Sequence, residues 1–198
     1  MNKPVDRADT LGYYRRMQAA VEELLILRGV MTQGELDRQV TDMDARTYKR
    51  GAQVVARAWV DPAYKARLLA DPRTATAELG IDIGPTHLIV VEDTPKVHNV
   101  IVCTLCSCYP RMLLGVPPHW YKSREYRSRV VREPRAVLAE FGTALPADVD
   151  IRVHDSTADM RYMVLPLRPA GTEHVGEAAL AELVTRDSLI GVGLPNAS

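Results

Sequence analysis

The sequence has no surplus of charge of either sign, no long apolar run and only three cysteines, and each shortage excludes something. Its 25 basic side chains are matched by 25 acidic ones, so net charge points to neither a nucleic-acid surface nor an anionic membrane. Apolar runs such as Leu88-Ile89-Val90-Val91 fall far short of the roughly 20 residues a membrane helix needs, and no span of a bilayer is expected. The polar start, Met1-Asn2-Lys3-Pro4-Val5-Asp6-Arg7, lacks the apolar stretch of a secretory signal, which makes the cytoplasm the expected location. Three cysteines crowded between Cys103 and Cys108 cannot make a distributed disulfide framework. Internal repeats and low-complexity segments are also missing.

What is present is an ordinary globular composition: 198 residues, 46% hydrophobic, enough for one substantial core with length left for an arm. From Tyr13 to Arg28, Tyr14, Met17, Val21, Leu24 and Leu25 recur at helical steps, and Gly29 stops the helix. Thr32 and Glu35 have capping-box spacing and open a second helix carrying Leu36 and Val40. Short helices are expected over 52–59, 62–70 and 74–79, two of them started by Asp61-Pro62 and Asp71-Pro72. The composition then turns β-branched: 88–91 and 97–102 read as buried strands around the turn Asp93-Thr94-Pro95. Prolines 110, 117 and 118 keep the next stretch irregular. Helices over 123–132 and 135–141, strands over 151–154 and 161–165, a helix over 177–184 and a loop-like tail complete the chain. The fold class is α+β: an N-terminal helical arm, 1–78, followed by a layered α/β globular domain, 79–198, that carries the cysteine loop.

Cys103-Thr104-Leu105-Cys106-Ser107-Cys108 has the spacing of a chelator. Around one metal ion, the Cys106 sulfur and the Ser107 amide nitrogen close a six-membered ring. The Ser107 and Cys108 nitrogens close a five-membered ring, and the Cys108 nitrogen and its own sulfur close another. Two sulfurs and two deprotonated backbone nitrogens thus share a plane, Cys103 supplies an axial sulfur, and the sixth position stays open for a reactant. Such a donor set favours a low-spin trivalent ion, Co(III) or Fe(III), over zinc, which gains nothing from amide deprotonation. The difficulty is charge: three thiolates and two amidates overload a trivalent ion, so the centre needs cationic neighbours or oxidised sulfurs. A zinc-stabilised interaction module, with His98 or His119 as fourth ligand, is the non-enzyme alternative. A thioredoxin-like redox pair is a weaker one, because no helix follows the cysteines cleanly and a third cysteine intrudes.

The segment Val102-Cys103-Thr104-Leu105-Cys106-Ser107-Cys108 resembles the metal-binding signature of nitrile hydratase alpha subunits and of the related thiocyanate hydrolase gamma subunit. The likeness extends through Gly51–Trp59, Glu92–Asn99, Trp120–Ser123, Arg129–Arg135, Arg161–Pro166 and Thr185–Ser188. It implies an enzyme that hydrates a small-molecule nitrile to its amide at a non-corrin Co(III) centre held by Cys103, Cys106, Ser107 and Cys108. In the family the residue matching Cys106 is a sulfinic acid and that matching Cys108 a sulfenic acid, and Thr104 marks the cobalt type. The likeness further implies a beta subunit, as one or two chains, whose arginines bond the oxidised sulfurs, and an activator that loads the metal. Cys108 and Cys106 are then the expected catalytic residues, with the Cys108 sulfenate oxygen acting as nucleophile or as base for a water.

Arg111 departs from the pattern, standing where nitrile hydratases typically carry tryptophan. It is similar to thiocyanate hydrolase there and to three-subunit nitrile hydratases such as the toyocamycin enzyme; a cation at this place suits thiocyanate or a large polar nitrile. A solvated or interface arginine is the plain alternative. The join from Thr41 to Arg50 is shorter than in relatives. The basic run Lys122, Arg124, Arg127, Arg129, Arg132 and Arg135 is interrupted by Glu125 and Glu133 and lacks interleaved aromatics, so it reads as a solvated or subunit-facing helix side and not as a nucleic-acid surface. The scattered histidines are expected to be structural, and Gly191-Val192-Gly193 is too short for a phosphate loop.

Overall fold

The computed structural model describes residues 7–106 and 108–197, the side chains of 7–11 excepted; residues 1–6 of the polar start, Ser107 and Ser198 lie outside the described residues. One compact unit ends at Ala45 and a second begins at Arg46.

The first unit is a pair of helices, α1 (Arg7–Leu27) and α2 (Gln33–Ala45). Gly29, at φ 68°, makes the left-handed turn that ends α1. Thr32 then caps α2 as its spacing predicts: the Thr32 amide and hydroxyl each donate to Glu35, both at 2.8 Å, and the Glu35 amide returns a bond to the Thr32 hydroxyl. Tyr14, Met17, Val21 and Leu24 on α1 are 46–63% exposed.

The second unit mixes helices and parallel strands. The helix α3 (Lys49–Val60) buries Gly51, Ala52, Val54, Val55 and Ala58. Its small residues allow close approach, since a Cβ on Gly51 would lie 2.8 Å from Leu114 Cδ2. The helix α4 (Pro62–Ala70) starts where the sequence predicts and α5 (Pro72–Glu78) two residues before the expected 74, each with an Asp cap, Asp61 and Asp71, and proline in the first turn. The helices over 49–78 lie within the second unit, where their apolar faces join the core.

Among the described residues four strands follow: β1 (His87–Glu92), β2 (Val97–Val102), β3 (Asp150–Asp155) and β4 (Met160–Leu165). They form two parallel pairs, β1 with β4 and β2 with β3, in registers that set Val90 beside Met163 and Val100 beside Val153. Five of the six residues of β2 are buried, which is why it reads as an unbroken apolar run rather than an alternation. Between β2 and β3 lie α6 (Arg111–Leu114), a 3-10 turn (His119–Lys122), α7 (Arg124–Arg129) and α8 (Pro134–Glu140). The stretch expected to be irregular after Pro110 therefore holds two short helical turns, and the helix expected over 123–132 stops at Arg129.

After β4 come α9 (Glu177–Leu183) and α10 (Arg186–Ile190). The helix α10 falls in the tail expected to be loop-like. A capping box between Thr185 and Ser188 and a left-handed Gly191 bound it, and Leu189 and Ile190 are buried in the core. Its end is tied to β2, where Gly191 O is 2.7 Å from His98 Nε2, and to the loop after α8, where Thr143 Oγ1 donates to Val192 O at 2.7 Å. The amides of Gly191, Val192 and Gly193 all donate to Asp187 O, so they cradle no phosphate. Among the described residues no helix is long and apolar enough to cross a membrane.

Candidate metal centre

The strand β2 runs straight into the cysteine loop. Cys103, one residue past the strand, is 1% exposed, whereas Cys106 is exposed and Cys108 half-buried. The chain turns back on itself there, the Cys106 amide donating to Cys103 Sγ at 3.3 Å. The three sulfurs converge, with Cys103 Sγ 3.4 Å from Cys106 Sγ and Cys106 Sγ 3.2 Å from Cys108 Sγ. These separations are far longer than a disulfide bond of about 2.05 Å.

Cys103, Cys106 and Cys108 are close enough to share one metal ion. Among the described residues, the group of potential ligands within 4.8 Å holds the three cysteines and no histidine. His98, the suggested fourth zinc ligand, is buried and bonded to Gly191 O, and His119 is exposed. Burial, followed by the neighbouring sulfurs of Cys106 and Cys103, pushes the Cys108 thiol up to about 12, while Arg161 acts the other way. Sulfurs that oppose one another's ionisation in this way suit a shared cation.

The loop's backbone is held from three directions. Asp155, at the end of β3 and paired in register with Val102, accepts from the Thr104 amide at 2.9 Å and from its hydroxyl at 2.5 Å. The Tyr121 hydroxyl, on the 3-10 turn, donates to Cys108 O at 2.9 Å. Arg127, on α7, donates through Nη1 to Thr104 O at 3.3 Å and to Cys106 O at 3.1 Å. The helix α7 is itself fixed by Tyr126, whose hydroxyl donates to Ile101 O at 2.7 Å and whose ring stacks edge-on with Trp120. None of these anchors was singled out from the sequence. Arg127 belongs to the basic run, of which three other members turn to Glu133 and Glu140 (Arg129), to Ser128 O (Arg132) and to the carbonyls of Leu145, Pro146 and Val149 (Arg135). Only the strand register and the seating of α7 bring Asp155 and Arg127 to the loop.

Of the residues expected at the site, Cys103, Cys106 and Cys108 come together; Ser107 lies outside the described residues. Arg111 opens α6 three positions beyond Cys108, with its side chain exposed. Leu105, at the tip of the loop, is 86% exposed.

Comparison with known proteins places residues 13–193 within the family described as nitrile hydratase, alpha chain. The chain is 51% identical over 178 residues to the low-molecular weight cobalt-containing nitrile hydratase subunit alpha of Rhodococcus rhodochrous, covering 89% of this chain and 86% of that one. It is 42% identical over 207 residues to the thiocyanate hydrolase subunit gamma of Thiobacillus thioparus, covering 98% and 84%. Among solved structures, a double mutant of the Fe-type nitrile hydratase from Comamonas testosteroni Ni1 superposes with a TM-score of 0.88 at 43% identity, covering 98% of this chain and 93% of that one.

Proposed function

The chain belongs to the nitrile hydratase alpha-chain family, and from that premise we propose that it is the metal-carrying subunit of a cobalt enzyme that adds water to a nitrile to give the amide. The observation that carries this reading is the convergence of three sulfurs, all within 4.8 Å of one another, in the loop that follows β2. Cys103, Cys106 and Cys108 hold the ion through sulfur, with the backbone nitrogens of Ser107 and Cys108 completing the donor set. Bound there in the trivalent state, cobalt supplies Lewis acidity that polarises the carbon–nitrogen triple bond. Cys106 carries sulfinic and Cys108 sulfenic oxygens. The Cys108 oxygen would either take a proton from a water that adds to the nitrile carbon, or bond that carbon itself, in which case water attacks the sulfur, the S–O bond breaks and the sulfenate is restored; in both branches the two protons of the water end on the former nitrile nitrogen, so one water is consumed per amide formed.

A subunit of a hetero-oligomer follows from the family. We assign one or two beta-type chains to the face that bears the loop, because Leu105, 86% exposed beside a centre that works best dry, calls for a cover. An activator protein loads the metal, and the cytoplasm is the setting. A second reading, hydrolysis of thiocyanate, is favoured by Arg111, a cation three residues beyond Cys108, and by the 42% identity to a thiocyanate hydrolase gamma subunit.

The test is co-production with the beta chain and activator, followed by metal analysis, intact mass and turnover of a small nitrile against thiocyanate. Cobalt, added oxygens on the cysteine peptide and amide formation are expected. Four-coordinate zinc with unoxidised sulfurs would overturn the reading, and turnover of thiocyanate alone would replace it with the second one. Arg111→Trp separates the two further, since it should lower any thiocyanate turnover while sparing a small nitrile.

A further inference from the structure

The donor set brings more negative charge than a trivalent ion carries, so cations near the loop matter. Arg127 is one that this chain supplies itself. Its guanidinium is held at three points: Nε donates to Ser123 O in its own helix at 3.3 Å, and Nη1 donates to Thr104 O and Cys106 O of the loop. The side chain is half-buried beside an open groove of about 480 Å³, lined by Thr104, Arg124, Arg127, Ser128 and Val131. Its helix cannot drift, because Tyr126 beside it is buried and bonded to Ile101 O at the end of β2.

Two features separate this contact from an ordinary surface arginine. The two carbonyls it gathers flank Leu105, so one nitrogen fixes the turn that brings the Cys103 and Cys106 sulfurs together. Cys106 O is also the oxygen of the peptide whose nitrogen, that of Ser107, stands in the proposed donor set. Peptide resonance spreads charge between those two atoms, so a permanent cation at the oxygen offsets charge gathered at the nitrogen. Arginine suits the task because its planar fork stays charged and reaches several acceptors at once.

We infer that Arg127 is a positioning residue of the metal centre, shaping the loop through Thr104 O and Cys106 O and compensating part of the ligand charge from within this chain. This rests on the loop being a trivalent-metal site. It is distinct from the partner's arginines, which the family resemblance assigns to the oxidised sulfurs.

The test uses the assembled, cobalt-loaded complex with wild-type chain, Arg127→Gln, Arg127→Lys and, as a control on the same groove, Arg124→Gln. Two quantities are read: the rate of cobalt loss to a chelator and the position of the sulfur-to-cobalt charge-transfer band. Arg127→Gln should lose cobalt at least about tenfold faster, with a displaced band. Arg127→Lys should lie between it and wild type, and Arg124→Gln should match wild type. A wild-type rate and band in Arg127→Gln would overturn the inference, as would a lysine variant no better than the glutamine one. If Arg127→Gln does not assemble, Arg127→Lys decides alone: faster cobalt loss supports the role and a wild-type rate removes it. A wild-type complex that holds zinc, or shows no such band, refutes the metal centre itself whatever Arg127 does.

Discussion

The Asp155 carboxylate takes both donors of a single residue, Thr104: the amide at 2.9 Å and the hydroxyl at 2.5 Å. Thr104 is the residue the family resemblance links to cobalt, yet its hydroxyl is turned to the end of β3. Any influence it has on the metal therefore passes through the backbone it anchors.

Asp155→Asn keeps the shape but places an amide NH2 where one oxygen accepted. The chain should remain folded with a loss of about 1 kcal/mol, since hydrogen bonds at an exposed carboxylate contribute little net stability. The loaded complex should release cobalt several-fold faster. Urea unfolding and chelator-driven release measure the two effects, and unchanged release would show that this anchor does not shape the loop.

Cys108→Ser should leave the fold intact, because Cys108 is half-buried and its carbonyl, held by Tyr121, is untouched. Turnover of the assembled enzyme should drop by at least about 100-fold, as expected when the reacting atom's carrier is removed. Retained activity in a protein with normal circular dichroism would take Cys108 out of the mechanism.

His154 gives the fold an acid-sensitive element. Its Nε2 is 2.8 Å from Asn99 Oδ1, so it donates there as a neutral ring, and burial, with Arg152 second, holds the imidazole below its usual 6.5. The unfolded chain takes a proton near that pH while the folded chain resists to lower pH. The ring's contribution is therefore present above the ordinary value and lost as pH falls through the window beneath it. Asp93, whose carboxyl burial pushes up, works in the opposite sense. Comparing wild type with His154→Gln cancels that contribution. The urea midpoint should fall between about pH 7.5 and about pH 5.5 in wild type, and by less in the variant. Equal slopes would remove His154 as the cause.

Gly191 sits at φ +87°, and a Cβ there would lie 1.9 Å from Asn99 O. Gly191→Ala must move either the sheet or the end of α10, and a loss of at least about 3 kcal/mol is expected. Denaturant unfolding checks it; a loss under about 1 kcal/mol would mean that the turn repacks freely.

Much of the fold was legible because its signals are local. The strands 88–91, 97–102, 151–154 and 161–165 are found with at most one more residue at either end, since β-branched runs bounded by turn residues carry their own evidence. Pro62, Pro72 and the Thr32–Glu35 box mark their helix starts for the same reason. The helix α10 escaped notice because Thr185 and Ser188 form a capping box without the Glu or Gln that usually reveals one. The short turn of α6 was hidden by the prolines around it. The helices over 49–78 belong to the unit that begins at Arg46, and a helix pattern shows which face is apolar but not what covers it.

The cysteine loop is the part the amino-acid order pointed to unaided, and its three sulfurs come together in the structure. Chelate rings close through a few covalent bonds between neighbours, so the possible donors around the ion are written in three consecutive residues and one earlier sulfur. The surroundings of that loop were left to the folded chain. Asp155, Arg127 and Tyr121 lie 51, 21 to 23 and 13 positions from the loop residues they hold. Their arrival depends on parallel strand register and on α7 being seated over β2, and such pairings are fixed by packing across the core, which no local pattern records.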